Sequence, residues 1–199
     1  MKKCAIFDFD GTLANSKAVA LGVINRLAEI HGFPKFSPEK ATMMHGQEKT
    51  LLSKFPLIAD DFYRLYKESI QEIPLFDGIH ELLVQLQNLG VEIAVISSNE
   101  ESNIREYFRN HGMNFITEVY TSSDLYGKDT MIDDFCEKHQ YSKDEVIYIG
   151  DEVRDIRACH KSGVSVVWVS WGYDAEEHAL AEKPTFTAHE PSELLAFMK

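Results

Sequence analysis

The chain has 199 residues, 44% of them hydrophobic, and 20 basic against 32 acidic residues leave a formal net charge of −12. This length suits one core with a small insertion, and the hydrophobic share matches that of ordinary globular domains, so a sizeable core needs no disulfides. The acidic balance argues against a sequence-independent nucleic-acid binder, which needs a basic footprint, and against attachment to anionic lipid. A phosphorylated small molecule stays possible, because one metal ion and one or two lysines make a local site cationic.

Cys4, Cys136 and Cys159 are widely spaced, without a CxxC or other metal-type pattern, and read as reduced thiols. The eight histidines show no HxH or HExxH pairing, so a zinc site is not expected. Met1-Lys2-Lys3 runs straight into a short apolar strand, without room for a signal peptide. No apolar run approaches the ~18 residues of a membrane span. A cytoplasmic location is the default expectation.

Cys4–Phe9 reads as a buried strand ended by Asp10-Gly11-Thr12, and Lys17–His31 as a helix stopped by Gly32. From Phe33 to Pro74 the pattern is helical but broken by Pro34, Pro38, Gly46 and Pro56, with one amphipathic helix over Leu65, Tyr66, Ser69 and Ile73. Ile79, Leu82, Leu83, Leu86 and Leu89 form a helical stripe, and Val91–Ile96 is a strand leaving through Ser97-Ser98-Asn99. Ser102 or Asn103 is a candidate cap for a helix carrying Ile104, Tyr107 and Phe108. Phe115–Tyr120, Val146–Ile149 and Ser165–Val169 read as strands, with helices at Lys128–His139 and Arg154–Ser162. A short strand at Phe186 and a terminal helix at Pro191–Met198 complete the pattern.

Strands alternating with helices over short links predict an α/β fold, a doubly wound parallel sheet with right-handed crossovers. Residues 1–14 and 77–199 make up this Rossmann-like core. Residues 15–76, where no strands alternate, form a small helical cap inserted after the first strand. Ligands in such sheets bind beyond the carboxyl ends of the strands, and Asp8/Asp10, Ser97 and Asp151 all fall there.

In Asp8-Phe9-Asp10-Gly11-Thr12, positions i and i+2 of an extended chain share a face, which presents two carboxylates together. Their repulsion calls for a cation or a shared proton, and a hard ion such as Mg²⁺ suits carboxylate oxygens. Gly11 permits a sharp turn, and Thr12 offers a hydroxyl and an N–H to an anion. The bland alternative is a common Asp-x-Asp-Gly turn. Asp151 and Asp155 stand one helical turn apart in Gly150-Asp151-Glu152-Val153-Arg154-Asp155 and can face one point, with Glu152 directed elsewhere or at the rim. A helix N-terminus decorated with acids would look similar. Ser97 can donate to a phosphate oxygen, and Lys128 opens a helix, where the dipole disfavours a cation unless an anion is near. An ordinary loop serine and a solvated lysine are the plain readings. Trp168 and Trp171 read as packing residues, and His45 and Gln47 as residues in mid-cap.

These four pieces resemble the haloacid dehalogenase-like hydrolase superfamily. Its first motif, hhhhDxDGT, is matched by Ala5-Ile6-Phe7-Asp8-Phe9-Asp10-Gly11-Thr12. Its Ser or Thr after a hydrophobic strand is matched by Ser97, its helix-opening Lys by Lys128 in Tyr126-Gly127-Lys128, and its acidic GDxxxD by Gly150 to Asp155. Trp171-Gly172-Tyr173 and Lys183-Pro184 are similar to the tail of the phosphoglycolate phosphatase-like branch. The resemblance implies that Asp8 attacks phosphorus, and that Asp10 protonates the leaving alcohol and then activates water. It implies that Mg²⁺ is held by Asp8, the carbonyl of Asp10, Asp151 and Asp155. Thr12, Ser97, Ser98 and Lys128 would bind the phosphoryl group of a small phosphorylated metabolite. Asn15 departs from relatives that often carry Asp there, and 15–76 is short for a cap of that branch; both bear on the substrate.

Dehalogenases of the superfamily lack an acid at the place of Asp10, so the resemblance points to a phosphate ester. A phosphonatase would need a cap lysine, and none of Lys17, Lys35, Lys40, Lys49 and Lys54 has a supporting context. A sugar-phosphate mutase on the same fold stays open. A receiver-like phospho-signalling module would carry its acceptor Asp where this chain has Ser97. A silent binding protein has no positive support, since every expected catalytic position is filled. Substrate and oligomeric state are not legible.

Overall fold

The computed structural model describes residues 2–37, 56–121 and 127–199. The expectations at Pro38, Lys40, His45, Gly46, Gln47, Lys49, Lys54 and Tyr126 lie outside them. Strands β1 (Cys4–Phe7), β2 (Glu92–Ser97), β3 (Glu118–Thr121), β4 (Val146–Gly150), β5 (Ser165–Val169) and β6 (Phe186–Ala188) form one sheet. Its order is β3-β2-β1-β4-β5-β6, and every pair is parallel. The helices are α1 (Lys17–His31), α2 (Pro56–Ser69), α3 (Ile79–Asn88), α4 (Glu101–Asn110), α5 (Lys128–His139), α6 (Val153–Ser162) and α7 (Glu176–Ala181).

Alternation along the buried strands assigns each face its own core. Ala5 and Phe7 of β1, Ile93 and Val95 of β2 and Ile147 and Ile149 of β4 pack with Leu82, Leu83 and Leu86 of α3 and Ile104 and Tyr107 of α4. Cys4 and Ile6, Ala94 and Ile96, and Val146 and Tyr148 face the other way, against Ile132 and Phe135 of α5 and Ile156 and Cys159 of α6. The chain winds outward from β1 to β3, returns to the centre at β4 and continues to β6. The reversal lies between β1 and β4, the place where doubly wound sheets bind ligands.

The first strand ends at Phe7, not Phe9. Asp8 still donates its N–H to Ile149, but Phe9 then accepts from both Leu13 and Ala14 and pulls the chain into a turn. Gly11 occupies that turn at φ +83°, a region a side chain disfavours. α4 begins one residue before Ser102, so neither Ser102 nor Asn103 is its cap; Glu100 holds the N-cap position. Asn103 is instead buried and donates to Asn99 Oδ1 at 3.2 Å. The C-terminal Pro191–Met198 winds as a 3₁₀ helix. Among the described residues, no helix is long and apolar enough to cross a membrane.

α1 and α2 stand between β1 and α3. The chain leaves and re-enters the core through adjacent segments: Asn15 N–H donates to the Pro74 carbonyl and Phe76 N–H to that of Leu13. Val23, Leu27 and Leu65 form a small apolar cluster between the two helices, flanked by Phe33, Ile58 and Phe62. The next residue on α2, Tyr66, belongs to the main core instead. The pair therefore has a hydrophobic centre of its own and one seam with the sheet.

Leu27 is 1% exposed in the small cluster. Truncation in so small a cluster has little around it to close the void, and Leu→Ala changes of this kind cost roughly 2–5 kcal/mol. Leu27→Ala is expected to fall in that range in urea unfolding, with amide exchange accelerated most in α1 and α2.

Candidate active site

Asp8 follows β1, and Asp151 follows β4, its neighbour. Asp155 lies in the first turn of α6. All three are buried, and each offers a carboxylate oxygen within 4.8 Å of the other two. Lys128, the first residue of α5, stands among them: its Nζ is 2.8 Å from Asp8 Oδ2 and 2.6 Å from Asp155 Oδ1. The unfavourable helix-dipole position of this lysine is thus explained by two anions in direct contact.

Each carboxylate is held by further donors. Asp8 Oδ1 accepts from the Phe9 N–H at 2.8 Å. Asp151 accepts from the Thr12 hydroxyl at 2.8 Å and from the Tyr173 N–H at 2.7 Å. Asp155 Oδ2 accepts from the Glu152 N–H at 3.2 Å. Glycines let the backbone pass this close. A Cβ at Gly172 or Gly11 would strike the Asp151 carboxylate, and one at Gly150 the Asp155 carboxylate. The two tryptophans pack as expected and also pin the backbone. Trp168 Nε1 donates to the Asp151 carbonyl at 2.7 Å, and Trp171 Nε1 to that of Thr12 at 3.1 Å.

The remaining candidates separate. The carboxylates of Asp8 and Asp10 do not share partners, because the extended strand ends before Asp8 and the two-residue repeat does not carry through the turn. The Asp10 side chain instead receives the Tyr66 hydroxyl on Oδ1 and the Asn99 amide on Oδ2, the latter at 2.8 Å. The Thr12 hydroxyl is given to Asp151. Ser97 is buried, and its Oγ accepts from the Asn99 N–H at 3.1 Å. Ser98 is partly buried, with the Arg154 guanidinium 3.4 Å away. Glu152 stands apart from the group of Asp8, Asp151 and Asp155, as expected, but it is not at the rim. It is 3% exposed, caps the N-terminus of α6 reciprocally with Asp155, and pairs with Arg154. Burying the cap satisfies N–H groups that the start of α6 would otherwise leave open.

Sequence reasoning passed over Tyr66, Asn99, Arg154 and Tyr173 as site residues. Tyr66 looked like one member of a helical stripe, and Asn99 like a loop exit. A polar hydroxyl on an otherwise apolar stripe was the available signal, but it gives no partner.

The electrostatics follow from crowding. Burial pushes the Asp151 carboxyl well above its usual range, and Glu152, Asp8 and Asp155 add to the effect. Burial also raises Asp155, to about 7, against the pull of Lys128. Asp10 is raised by burial, with the bonds from Tyr66 and Asn99 opposing. Burial disfavours the charged form of Lys128, but Asp155 and Asp8 outweigh it and hold the ammonium protonated. Among the described residues, the cations set against Asp8, Glu152 and Asp155 are Lys128 and Arg154, with Asp151 crowded beside them. That excess of hard oxygen donors and buried negative charge fits a divalent cation of the Mg²⁺ type.

A profile of the haloacid dehalogenase-like hydrolases matches residues 5–169. The phosphoglycolate phosphatase of Synechococcus elongatus is 26% identical over 96% of this chain and 94% of its own length. The tyrosine-protein kinase PtkA of Mycobacterium tuberculosis is 25% identical over 92% of this chain and 67% of its own. A haloacid dehalogenase-like family hydrolase from Streptococcus pneumoniae has the same fold, with a TM-score of 0.88 at 21% identity over 100% of this chain and 99% of that one. With a parallel sheet that gathers Asp8, Lys128, Asp151 and Asp155 at one edge, and a family match spanning most of its length, the chain belongs to the haloacid dehalogenase-like hydrolases.

Proposed function

We propose that the chain is a phosphatase that hydrolyses a small phosphate monoester through an aspartyl-phosphate on Asp8. The observation that carries this reading is the placement of Asp8, Asp151 and Asp155 within 4.8 Å of one another around the Lys128 ammonium. Asp8, Asp151 and Asp155, with the carbonyl of Asp10, would hold Mg²⁺. When bound, the ion offsets the repulsion between the nucleophile and a phosphate dianion.

In the first step an Asp8 carboxylate oxygen bonds to phosphorus, the ester P–O bond breaks, and the Asp10 carboxyl gives its proton to the departing alkoxide. In the second step Asp10 takes a proton from water as the water oxygen bonds to the same phosphorus. The Asp8–phosphorus bond breaks, releasing inorganic phosphate and restoring both carboxyls. Dividing one displacement into two is the gain of covalent catalysis. Lys128 holds Asp8 Oδ2 while the Phe9 N–H holds Oδ1, and Lys128, with Ser97 and Ser98, would receive phosphoryl oxygens. Thr12 contributes by orienting Asp151, the group its hydroxyl already bonds.

Residues 15–76 act as a cap over this edge, and residues 1–14 and 77–199 as the catalytic core. The independent cluster of α1 and α2 and their paired entry and exit segments support that division. Kinship with the phosphoglycolate phosphatases of Synechococcus elongatus and Vibrio parahaemolyticus, the latter 24% identical, favours a short phosphorylated acid as substrate.

Hydrolysis of p-nitrophenyl phosphate is expected with Mg²⁺ present and absent after chelation. Asp8→Asn should lower the rate by more than about 10³-fold, the scale on which removing a covalent nucleophile acts, while its circular dichroism stays that of the wild type. An Asp8→Asn protein as active as the wild type would sink the covalent reading. Mg²⁺ should also raise the melting temperature of chelator-treated protein, with about 2.7 kcal/mol at a hundredfold excess over Kd. Asp151→Asn should shrink that shift. A melting temperature indifferent to millimolar Mg²⁺ would show that the acidic cluster holds no such ion.

A further inference from the structure

Among the described residues, Asp10 is a member of the proposed machinery that the helical insertion holds through a side-chain hydrogen bond. Tyr66 lies on α2 and is 6% exposed. Its hydroxyl donates to Asp10 Oδ1, while the Asn99 amide, from the segment after β2, donates to Oδ2 at 2.8 Å. Two donors on opposite oxygens, from separate parts of the chain, leave the carboxyl no free rotation. Both are themselves held. The Tyr66 ring stacks on Phe62, with centroids 5.8 Å apart and planes 21° from parallel. The Asn99 Oδ1 accepts from the Glu100 N–H at 2.7 Å and from Asn103 at 3.2 Å. The next residues out, Ser16 and Tyr173, bond each other at 2.9 Å, and the Ser16 hydroxyl bears on both Asp10 and Tyr66.

We propose that Tyr66 is a positioning residue: its phenol, delivered by the helical insertion, works with Asn99 to fix the plane of the Asp10 carboxyl and so to aim its proton at the leaving oxygen. The inference rests on the reaction proposed above and adds a residue of the helical insertion to it. Packing alone does not require the hydroxyl, since Phe would fill the same space against Phe62. The hydroxyl is instead spent on the carboxyl that must deliver a proton. A donor held out of line loses most of the advantage of a positioned acid, which is worth about 10²–10⁴-fold. The loss falls on esters whose leaving group needs the proton and spares those whose leaving group departs as a stable anion.

The test compares phenyl phosphate with p-nitrophenyl phosphate, two esters of similar shape whose leaving groups differ in basicity. The value read is kcat/KM, which covers the steps up to release of the phenol. Tyr66→Phe is expected to lower it for phenyl phosphate by about tenfold more than for p-nitrophenyl phosphate, in the same sense as Asp10→Asn and to a smaller extent. Phe62→Leu keeps the phenol but loosens the packing that holds its ring, so it should discriminate in the same sense and less than Tyr66→Phe. Equal effects of Tyr66→Phe on the two esters, or none, would overturn the proposal, as would a larger discrimination from Phe62→Leu than from Tyr66→Phe. A wild type inert towards both esters with Mg²⁺ present, or an Asp10→Asn protein that does not discriminate between them, would overturn the reaction itself and this inference with it.

Discussion

Too many carboxylates share too little space at the edge between β1 and β4, and most of the local structure is an answer to that repulsion. Asp8, Asp151, Glu152 and Asp155 are all buried. Burying an unpaired carboxylate costs several kcal/mol, so each has been given donors: Lys128 for Asp8 and Asp155, Thr12 and Tyr173 for Asp151, Arg154 for Glu152. Two cations do not neutralise the set, and the remainder appears as carboxyl groups pushed towards protonation. A pocket stabilised for folding alone would have replaced these acids with apolar side chains. Together Asp8, Asp151 and Asp155 make a cluster able to hold a small, hard cation, at a cost in stability.

The fold delivers that concentration cheaply. Parallel pairing puts the ends of β1 and β4 level with each other, and the residues following them, Asp8 and Asp151, come from positions far apart in the chain. The helices α5 and α6 pack on the same face of the sheet, so their N-termini bring Lys128 and Asp155 to the same edge. No segment has to deform to assemble the group. The tight places are instead Gly11, Gly150 and Gly172, where a side chain would occupy the volume that a carboxylate now fills.

A second division of labour runs between the two aspartates of the first motif. Asp8 turns to the lysine and the acidic partners from the core, and Asp10 to Tyr66 and Asn99. In the proposed reaction Asp8 needs its charge, which Lys128 stabilises, and Asp10 needs its neutral form, towards which its surroundings push it. The turn at Gly11 gives residues only two apart these different partners.

The order of strands and helices, the parallel sheet, and the placing of Asp8 and Asp151 at strand ends and of Lys128 at a helix start were legible in the sequence by itself. They rest on local rules: apolar runs flanked by turn residues, helical stripes closed by glycine, and an acid or serine at each strand exit. Family motifs reinforced them because their spacing records that same geometry. What only the tertiary structure decided is where side chains meet across the fold. Strand periodicity put the carboxylates of Asp8 and Asp10 together, but the chain turned before the rule could apply. Glu152 was expected elsewhere or at the rim; it does stand apart from the clustered carboxylates, but as a buried cap of α6. Tyr66 is one more residue on an amphipathic helix until α2 is docked, and only then does its hydroxyl find Asp10. Local pattern depends on backbone geometry over a few residues. Partner choice depends on contacts between segments many residues apart, which a single sequence does not encode in any local signal.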